Sequence, residues 1–320
     1  MKLIIQIPCL NEEKTLAATI KDLPDSIPGV DKIEVLVIDD GSTDKTCEVA
    51  KKSGVDHIVR FKDNRGLAKA FSAGLNKALE QGADIIVNTD ADNQYKADDI
   101  PKLIRPILEN DADIVIGNRQ TDAIKHFSFI KRKLQKIGSF VVRSLSGTKI
   151  PDTTSGFRAF SKEAALKINV LSKYTYTLET IIEAGKKGIP IKSVPIRTNP
   201  KQRKSRLYNN IFQYIIRSVL TIIRIYTMYE PLKTFFYIGS LVFLVGALLV
   251  GRFFYYYIIG NGAGHVQSLI IAAVLLITGF LLVMIGLVAD IISFNRKILE
   301  DTLYRIKKKE IEKSDEEATD

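Results

Sequence analysis

From Val266 to Ala289 the chain carries no charged residue, and from Phe235 to Val250 it carries none either. An α-helix needs about 20 apolar residues to cross a bilayer. The second run meets that length outright. The first meets it if Arg252, which is followed by FFYYYII, snorkels to the far interface. Only GNGAGH separates the two, so they read as a helical hairpin with spans at about 233–259 and 266–292. The competing reading, two buried helices of a soluble core, fits poorly because soluble helices rarely stay uncharged for so long.

Charge gives the hairpin an expected orientation. The loop between the runs has no Lys or Arg, whereas KQRKSR precedes the hairpin and RK and RIKKK follow it. Under the positive-inside rule both flanks are cytosolic. The start, MKLIIQIP, has too short an apolar part for a signal peptide and runs into PCLNEE without a small-residue cleavage site, so the soluble part is expected in the cytosol. Cys9 and Cys47 suit a reducing compartment and give no disulfide framework. The net charge of +10 suits an anionic partner. With basic runs beside the apolar segments and no nucleic-acid module in sight, anionic lipid is the expected partner rather than nucleic acid.

The first 120 residues alternate short Ile/Val-rich runs (KLIIQI, IEVLVID, HIVRF, DIIVNTD, DIVIGN) with helical patterns such as LAKAFSAGLNKALEQG. Such alternation predicts an α/β fold, a mainly parallel sheet with helices on both faces. Ligands of such sheets sit at the carboxyl ends of the strands. The polar clusters PCLNEE, DDGSTD, DADNQY and GNR fall there. From Arg119 to Lys149 eight basic residues face one acid, Asp122, and Phe127, Ile130, Leu134, Ile137, Val141 and Leu145 recur at helical spacing, which predicts a basic amphipathic helix. TTSGFRAFS reads as a turn into a strand, and IPIKSVPIR as another strand. LYNNIFQYIIRSVLTIIRIYTMYEP reads as an amphipathic helix lying in the membrane interface. The expected organisation is a catalytic domain at 1–200, an acceptor loop and interfacial helix at 201–231, the hairpin at 232–293 and a charged tail at 294–320, without order beyond Glu310.

Two clusters carry chemistry. In DDGSTD, Asp39 and Asp40 end a strand, Gly41 permits a tight turn, and Ser42 or Thr43 could cap the next helix. Asp39 is then a candidate acceptor of hydrogen bonds from a base or ribose; an ordinary capped turn is the alternative. The chain has neither GxGxxG nor GxxxxGK[ST] in this region, so neither a dinucleotide fingerprint nor a P-loop applies. In DADNQ, Asp90 and Asp92 stand two apart behind an apolar strand, with Gln94 adjacent. Close carboxylates repel, and a hard divalent cation, Mg²⁺ or Mn²⁺, would relieve the repulsion and complete its shell on substrate phosphates. An acidic loop in water is the alternative. The histidines His57, His126 and His265 are scattered and give no zinc pattern.

In order and spacing, PCLNEE, VIDDGSTDKT, NRGLAKAFSAGL, DADNQY, GNR and DTTSGFRAF resemble a family 2 glycosyltransferase of the GT-A fold. More closely, residues 1–230 resemble the membrane branch typified by dolichyl-phosphate mannose synthase and the bacterial polyprenyl-phosphate glucosyltransferases, and the hairpin resembles the bacterial members. The resemblance implies a nucleotide-sugar pocket lined by Pro8, Leu10, Glu12, Asp39, Asp90 and Arg119. It implies metal ligands at Asp92 and Gln94, and catalytic roles for Asp90, Asp92 and Asp152, the last facing the transferred sugar. Arg132, Arg158, Arg203 and Arg206 would meet the acceptor phosphate, with Arg158 also supporting its loop. The mannose synthases carry R-x-x-G-x-S-K in the last loop, where this chain has NPKQRKSRL.

A lipid monophosphate has a second pKa near 6 and needs no base to remove a proton. The demand is to hold two anions together, which a metal ion and arginines meet. In-line attack with inversion follows as the expected reaction. Two alternatives are a processive polysaccharide synthase, disfavoured by two spans and no tryptophan, and a non-catalytic nucleotide-sugar-binding scaffold. The donor's base and sugar and the choice of dolichyl or undecaprenyl acceptor stay open. Copies could pack through Gly239 and Gly246 as a homo-oligomer.

Overall fold

The computed structural model describes residues 1–120, 129–170, 176–200, 216, 219–220, 223–224, 226–260, 264 and 266–317, with the side chains of 129–137 and 314–317 excluded. The chain forms two compact units, Met1–Ile222 with Thr302–Asp320, and Ile223–Asp301.

In β1 (Lys2–Cys9) every residue from Leu3 onward is buried. A strand apolar on both faces belongs in the middle of a covered sheet, and β1 is third in the seven-stranded order β3-β2-β1-β4-β6-β5-β7. It pairs in parallel with β2 (Lys32–Asp39) and β4 (Ile85–Asn88), and β2 pairs in parallel with β3 (His57–Arg60). β5 (Ile114–Asn118) and β7 (Ile191–Pro195) are parallel to each other. Between β4 and β5, β6 (Arg158–Ser161) runs antiparallel to both.

That one reversed strand matters for function. It pairs Arg158, its first residue, with Asn88, the last of β4. The loop that precedes β6, residues 152–157, is thereby brought to the sheet edge where β1, β2, β4 and β5 end.

Helices cover both faces. On one, α1 (Leu16–Lys21) and α4 (Ile100–Leu108) set Leu16, Leu103, Ile104 and Ile107 against Leu3, Ile5, Ile7, Val37, Ile85 and Val87. On the other, α3 (Leu67–Glu80) brings Phe71 against Phe160 and flat onto Tyr176, with ring centroids 3.9 Å apart. Each such side chain fully buried contributes about 1.5–3 kcal/mol. The short α2 (Thr46–Lys52) follows β2, and α6 (Lys162–Lys167) follows β6. Of the basic amphipathic helix expected between 119 and 149, α5 (Phe129–Ser146) is described, with Val142 buried and Phe140 exposed. α7 (Thr177–Lys187) ends at Gly188 in the left-handed conformation. Most of the expected interfacial helix lies outside the described residues.

The second unit contains α8 (Pro231–Ile258) and most of α9 (Val266–Glu317), both long and apolar enough to cross a membrane. They pack through glycines seven apart. A Cβ on Gly239 would lie 2.8 Å from Gly279 O, and one on Gly246 would lie 3.0 Å from Leu276 N. Close backbone approach through small residues is how apolar helices associate in lipid. Gly239 and Gly246, expected to pair separate copies, are therefore buried in contact within one chain.

The tail also departs from expectation. It stays helical to Glu317, and residues 302–320 belong to the first unit. Tyr304 Oη donates to Glu163 Oε1 at 2.8 Å, Lys167 Nζ lies over the Tyr304 ring, and Ile311 is buried. The charge of the residues beyond Glu310 suggested disorder; Tyr304, Ile311 and Lys307, whose Nζ donates to Asn169 Oδ1 at 3.3 Å, dock the helix instead.

Candidate active site

The site is built where β1, β2, β4 and β5 end. Because β1 and β2 are parallel and in register from Lys2–Lys32 to Cys9–Asp39, their exit turns lie side by side and interlock. Asn11, at φ 55°, donates its N–H to Ser42 Oγ, and its side-chain oxygen accepts from Thr43 N at 2.9 Å. Glu12 N–H donates to Thr46 Oγ1 at 2.7 Å, and Glu12 Oε2 accepts from Thr15 Oγ1 at 2.8 Å. Ser42 and Thr43 thus hold the neighbouring turn, contrary to the expected capping role; Asp44 Oδ1 accepts from Thr46 N at the start of α2. Gly41 is required for two reasons. Its φ is 74°, and a Cβ there would meet the Asp63 carbonyl carbon at 2.5 Å.

Pro8 lies within buried β1, and Leu10 follows it with its side chain exposed. Asp39 is fully buried at the end of β2. Its Oδ1 accepts from Ser42 N at 2.9 Å, and its Oδ2 lies 3.2 Å from Arg60 Nε in an ion pair that lacks hydrogen-bond geometry. Oδ2 therefore has no hydrogen-bond partner among the described residues. A buried carboxylate oxygen in that state is an acceptor waiting for a donor. Its neighbour Asp40 is engaged otherwise: it accepts from Arg65 N and Gly66 N, and burial raises its pKa above the usual carboxylate range.

Asp90 and Asp92 follow β4. Burial first, and the Asp92 charge second, push the Asp90 carboxyl up to about 7. Tyr95, buried and stacked on Phe157, joins this group to the 152–157 loop: it accepts from Gly156 N at 3.0 Å, and its hydroxyl works against the rise at Asp90. Gly156 permits the contact, since a Cβ there would meet Asp90 Oδ1 at 2.8 Å. Beneath them Asn88 donates to Gly156 O at 2.8 Å and accepts from Gln6 Nε2 at 2.9 Å.

Asp92 accepts from Gln94 Nε2 at 2.7 Å. A carboxylate and an amide oxygen form a hard-oxygen donor set that fits Mg²⁺ or Mn²⁺. Among the described residues no group of three or more His, Cys, Asp or Glu could hold a metal ion alone. The set therefore fits an ion that completes its shell on substrate phosphates rather than a structural ion.

Arg119 and Asp152 come together. Arg119 Nε donates to Asp152 Oδ2 at 2.7 Å and Nη2 to Oδ1 at 2.9 Å, and Thr154 Oγ1 accepts a further bond. Burial works against both charges. Arg119 outweighs it at Asp152, holding that carboxyl below the usual range, and Tyr95, Asp152 and Asp90 outweigh it at Arg119, holding the guanidinium above its usual range. Asp152 is only 2% exposed, with both oxygens engaged. In this geometry it anchors Arg119.

Arg158 requires a plainer correction. It is fully buried and donates to Ser155 O, Thr180 Oγ1 and Thr153 O, so it supports the 152–157 loop and offers nothing to an acceptor phosphate. The Arg132 side chain, Arg203 and Arg206 lie outside the described residues. Sequence reasoning missed Arg60, Asn88 and Tyr95. Tyr95 stood in the DADNQY motif without a role, and Arg60 stood one residue from the end of a recognised strand.

A sheet of this order with its carboxylates at the strand ends has the GT-A-like architecture. Among solved structures, glucosyl-3-phosphoglycerate synthase from Mycobacterium tuberculosis, crystallised with Mn²⁺, uridine diphosphate and phosphoglyceric acid, is similar at a TM-score of 0.53. The likeness covers 69% of this chain and 78% of that one at 20% identity, which shows the fold. Residues 4–168 match the family described as Glycosyl transferase family 2, and the chain belongs to it and is a glycosyltransferase. It is 32% identical over 216 residues to the UDP-N-acetylglucosamine–dolichyl-phosphate N-acetylglucosaminyltransferase of Methanococcus voltae, covering 60% of this chain and 83% of that protein. It is 30% identical over 206 residues to the undecaprenyl-phosphate mannosyltransferase of Micrococcus luteus, covering 61% and 83%.

Proposed function

We propose that this glycosyltransferase moves a sugar from a nucleotide-sugar donor to a polyprenyl phosphate at the cytosolic face of a membrane, with inversion at the anomeric carbon. The observation that carries the reading is the Arg119–Asp152 pair. A buried carboxylate fixes a permanently charged, planar guanidinium beside Asp90, and a guanidinium so held suits a phosphate oxygen. Relatives named for dolichyl and undecaprenyl phosphate support a lipid phosphate as acceptor. The two apolar helices support a membrane as the place where it is met.

The residues divide the work. Asp39 Oδ2 accepts from the base or ribose. Asp92 and Gln94 would hold Mg²⁺ or Mn²⁺, which supplies positive charge to the donor diphosphate when bound. Asp90, packed against Gly156, fixes the distance between the 152–157 loop and the nucleotide side. Arg119 stabilises charge on the phosphates, and Asp152 and Thr154 keep it aimed. A dianionic phosphate nucleophile needs no general base, so none of these carboxylates has to accept a proton. The relatives' different sugars leave the donor to experiment.

The test is transfer of radiolabel from nucleotide-sugars into the organic phase by detergent-purified protein. Asp92→Asn and EDTA should each abolish it. Full transfer with Asp92→Asn would refute the metal assignment.

A further inference from the structure

The metal loop is held from behind by the residues that follow β7. Beyond β7 the chain runs as Ile196-Arg197-Thr198-Asn199 along the inner side of residues 93–99. Thr198 forms an antiparallel bridge with Tyr95, and Lys96 N donates to Arg197 O at 3.4 Å. Asn199 takes two consecutive carbonyls of the loop: its main-chain N–H donates to Gln94 O at 2.8 Å and its Nδ2 to Asn93 O at 3.0 Å. Arg197 closes the other end on Asp99, which is fully buried. Arg197 N donates to Oδ2 at 2.6 Å and Nη2 to Oδ1 at 2.9 Å. Hydrogen bonds from Arg197 and Lys102 outweigh burial and hold the Asp99 carboxyl below its usual range.

The loop needs such backing. Asn93 sits between Asp92 and Gln94 at φ 54°, a left-handed conformation that costs a non-glycine residue energy. Its side chain is tied to Asp22 at 2.8 Å, and the neighbouring Ala91 O accepts from Thr19 at 3.0 Å. α1 thus holds one flank of the turn and residues 197–199 the other. The turn at Asn93 sets the Asp92 and Gln94 side chains together, with Gln94 Nε2 donating to Asp92 Oδ2 at 2.7 Å. Partners behind metal ligands set their orientation, and losing one costs roughly 10–100-fold in affinity.

We infer that Asn199 and Arg197 are positioning residues for the metal-binding loop: the 197–199 segment fixes the left-handed turn at Asn93 and so the placement of Asp92 and Gln94 for a divalent cation. The inference rests on the assignment of Asp92 and Gln94 as metal ligands. Neither Asn199 nor Arg197 touches the ion or the substrate; each acts through the backbone of the loop.

The test measures Mn²⁺ binding directly, by the electron paramagnetic resonance signal of free Mn²⁺ over the full chain in detergent with UDP present. Asn199→Ala should raise the Mn²⁺ dissociation constant about tenfold. UDP binding in EDTA and the melting temperature should stay near wild type. Asn199→Asp, which keeps size and the main-chain bond while setting a carboxylate against the Asn93 carbonyl, should weaken Mn²⁺ at least as much and serves if the alanine variant folds poorly. Arg197→Lys should give an intermediate loss, rescued in turnover by excess Mn²⁺. Tight wild-type binding with an unchanged constant in both Asn199 variants would overturn the positioning role alone. No Mn²⁺ binding by the wild type would overturn the metal assignment and this inference with it.

Discussion

Arg119 and Asp152 act as one unit, and their mutants should show it. Removing the guanidinium from a phosphate site costs on the order of a hundredfold in turnover. Arg119→Ala should lose about that much in kcat. Asp152→Asn should lose nearly as much although it leaves the cation, because the bidentate geometry goes. If Asp152 works through Arg119, the double variant should be no worse than the poorer single variant, since groups that act together are not additive. Independent losses that multiply would restore Asp152 to a direct role on the sugar. Gly156→Ala tests the neighbouring contact. Its Cβ would meet the Asp90 carboxylate at 2.8 Å and cannot move without shifting Tyr95, so steady-state activity should drop more than the melting temperature.

Individual elements show what the sequence makes legible. β1 and β4 were readable because short Ile/Leu/Val runs, Leu3–Ile5 with Ile7 and Ile85–Val87, lie between turn signals. The strand ends then located Asp39, Asp90, Asp92 and Arg119 without coordinates. β6 was readable as a strand, but its direction was not, since strand polarity is set by which neighbours accept it rather than by its own residues. That direction is what delivers Asp152 and Gly156 to the site. Burial of Arg158 was equally hidden: an arginine beside phosphate-binding motifs looks like a ligand until three oxygen acceptors surround it. The start of β2 offers a separate test. Burial works to raise the Glu34 carboxyl, and hydrogen bonds from Lys2, Lys32 and His57 outweigh it, holding it at about 2. The folded value lies below the unfolded one of about 4.3. Its stabilisation is therefore present above that pH and lost as pH falls through about 2. Acid unfolding followed by circular dichroism should show Glu34→Gln less stable at pH 6, with a shallower loss between pH 4.5 and 2. A parallel shift of the whole curve would contradict the ion-pair account.

At the scale of the molecule, the chain after Asp301 returns to the catalytic unit, and α9 is more than an anchor. Ending the chain at Asp301 would expose Leu166 beside Ile311 and remove the Tyr304–Glu163 bond. The melting temperature should fall by several degrees, and Tyr304→Phe alone should cost about 1 kcal/mol. Unchanged melting on truncation would mean the tail is passive. The proposed topology makes a further prediction. A cysteine placed at Asn261 in a variant lacking Cys9 and Cys47 should be labelled by an impermeant maleimide from the non-cytosolic side, whereas one at Thr319 should not.

The central claim is that the acceptor is a lipid phosphate, and one comparison tests it most directly. Polyprenyl phosphate and the matching polyprenol are offered with a panel of labelled UDP- and GDP-sugars and Mn²⁺, and label is counted in the organic phase. The account predicts label from one donor into the phosphate and none into the alcohol, because Arg119 suits a dianion and a dianionic phosphate, unlike a hydroxyl, attacks without a base. Equal transfer to the alcohol, or transfer to a water-soluble acceptor alone, would contradict it.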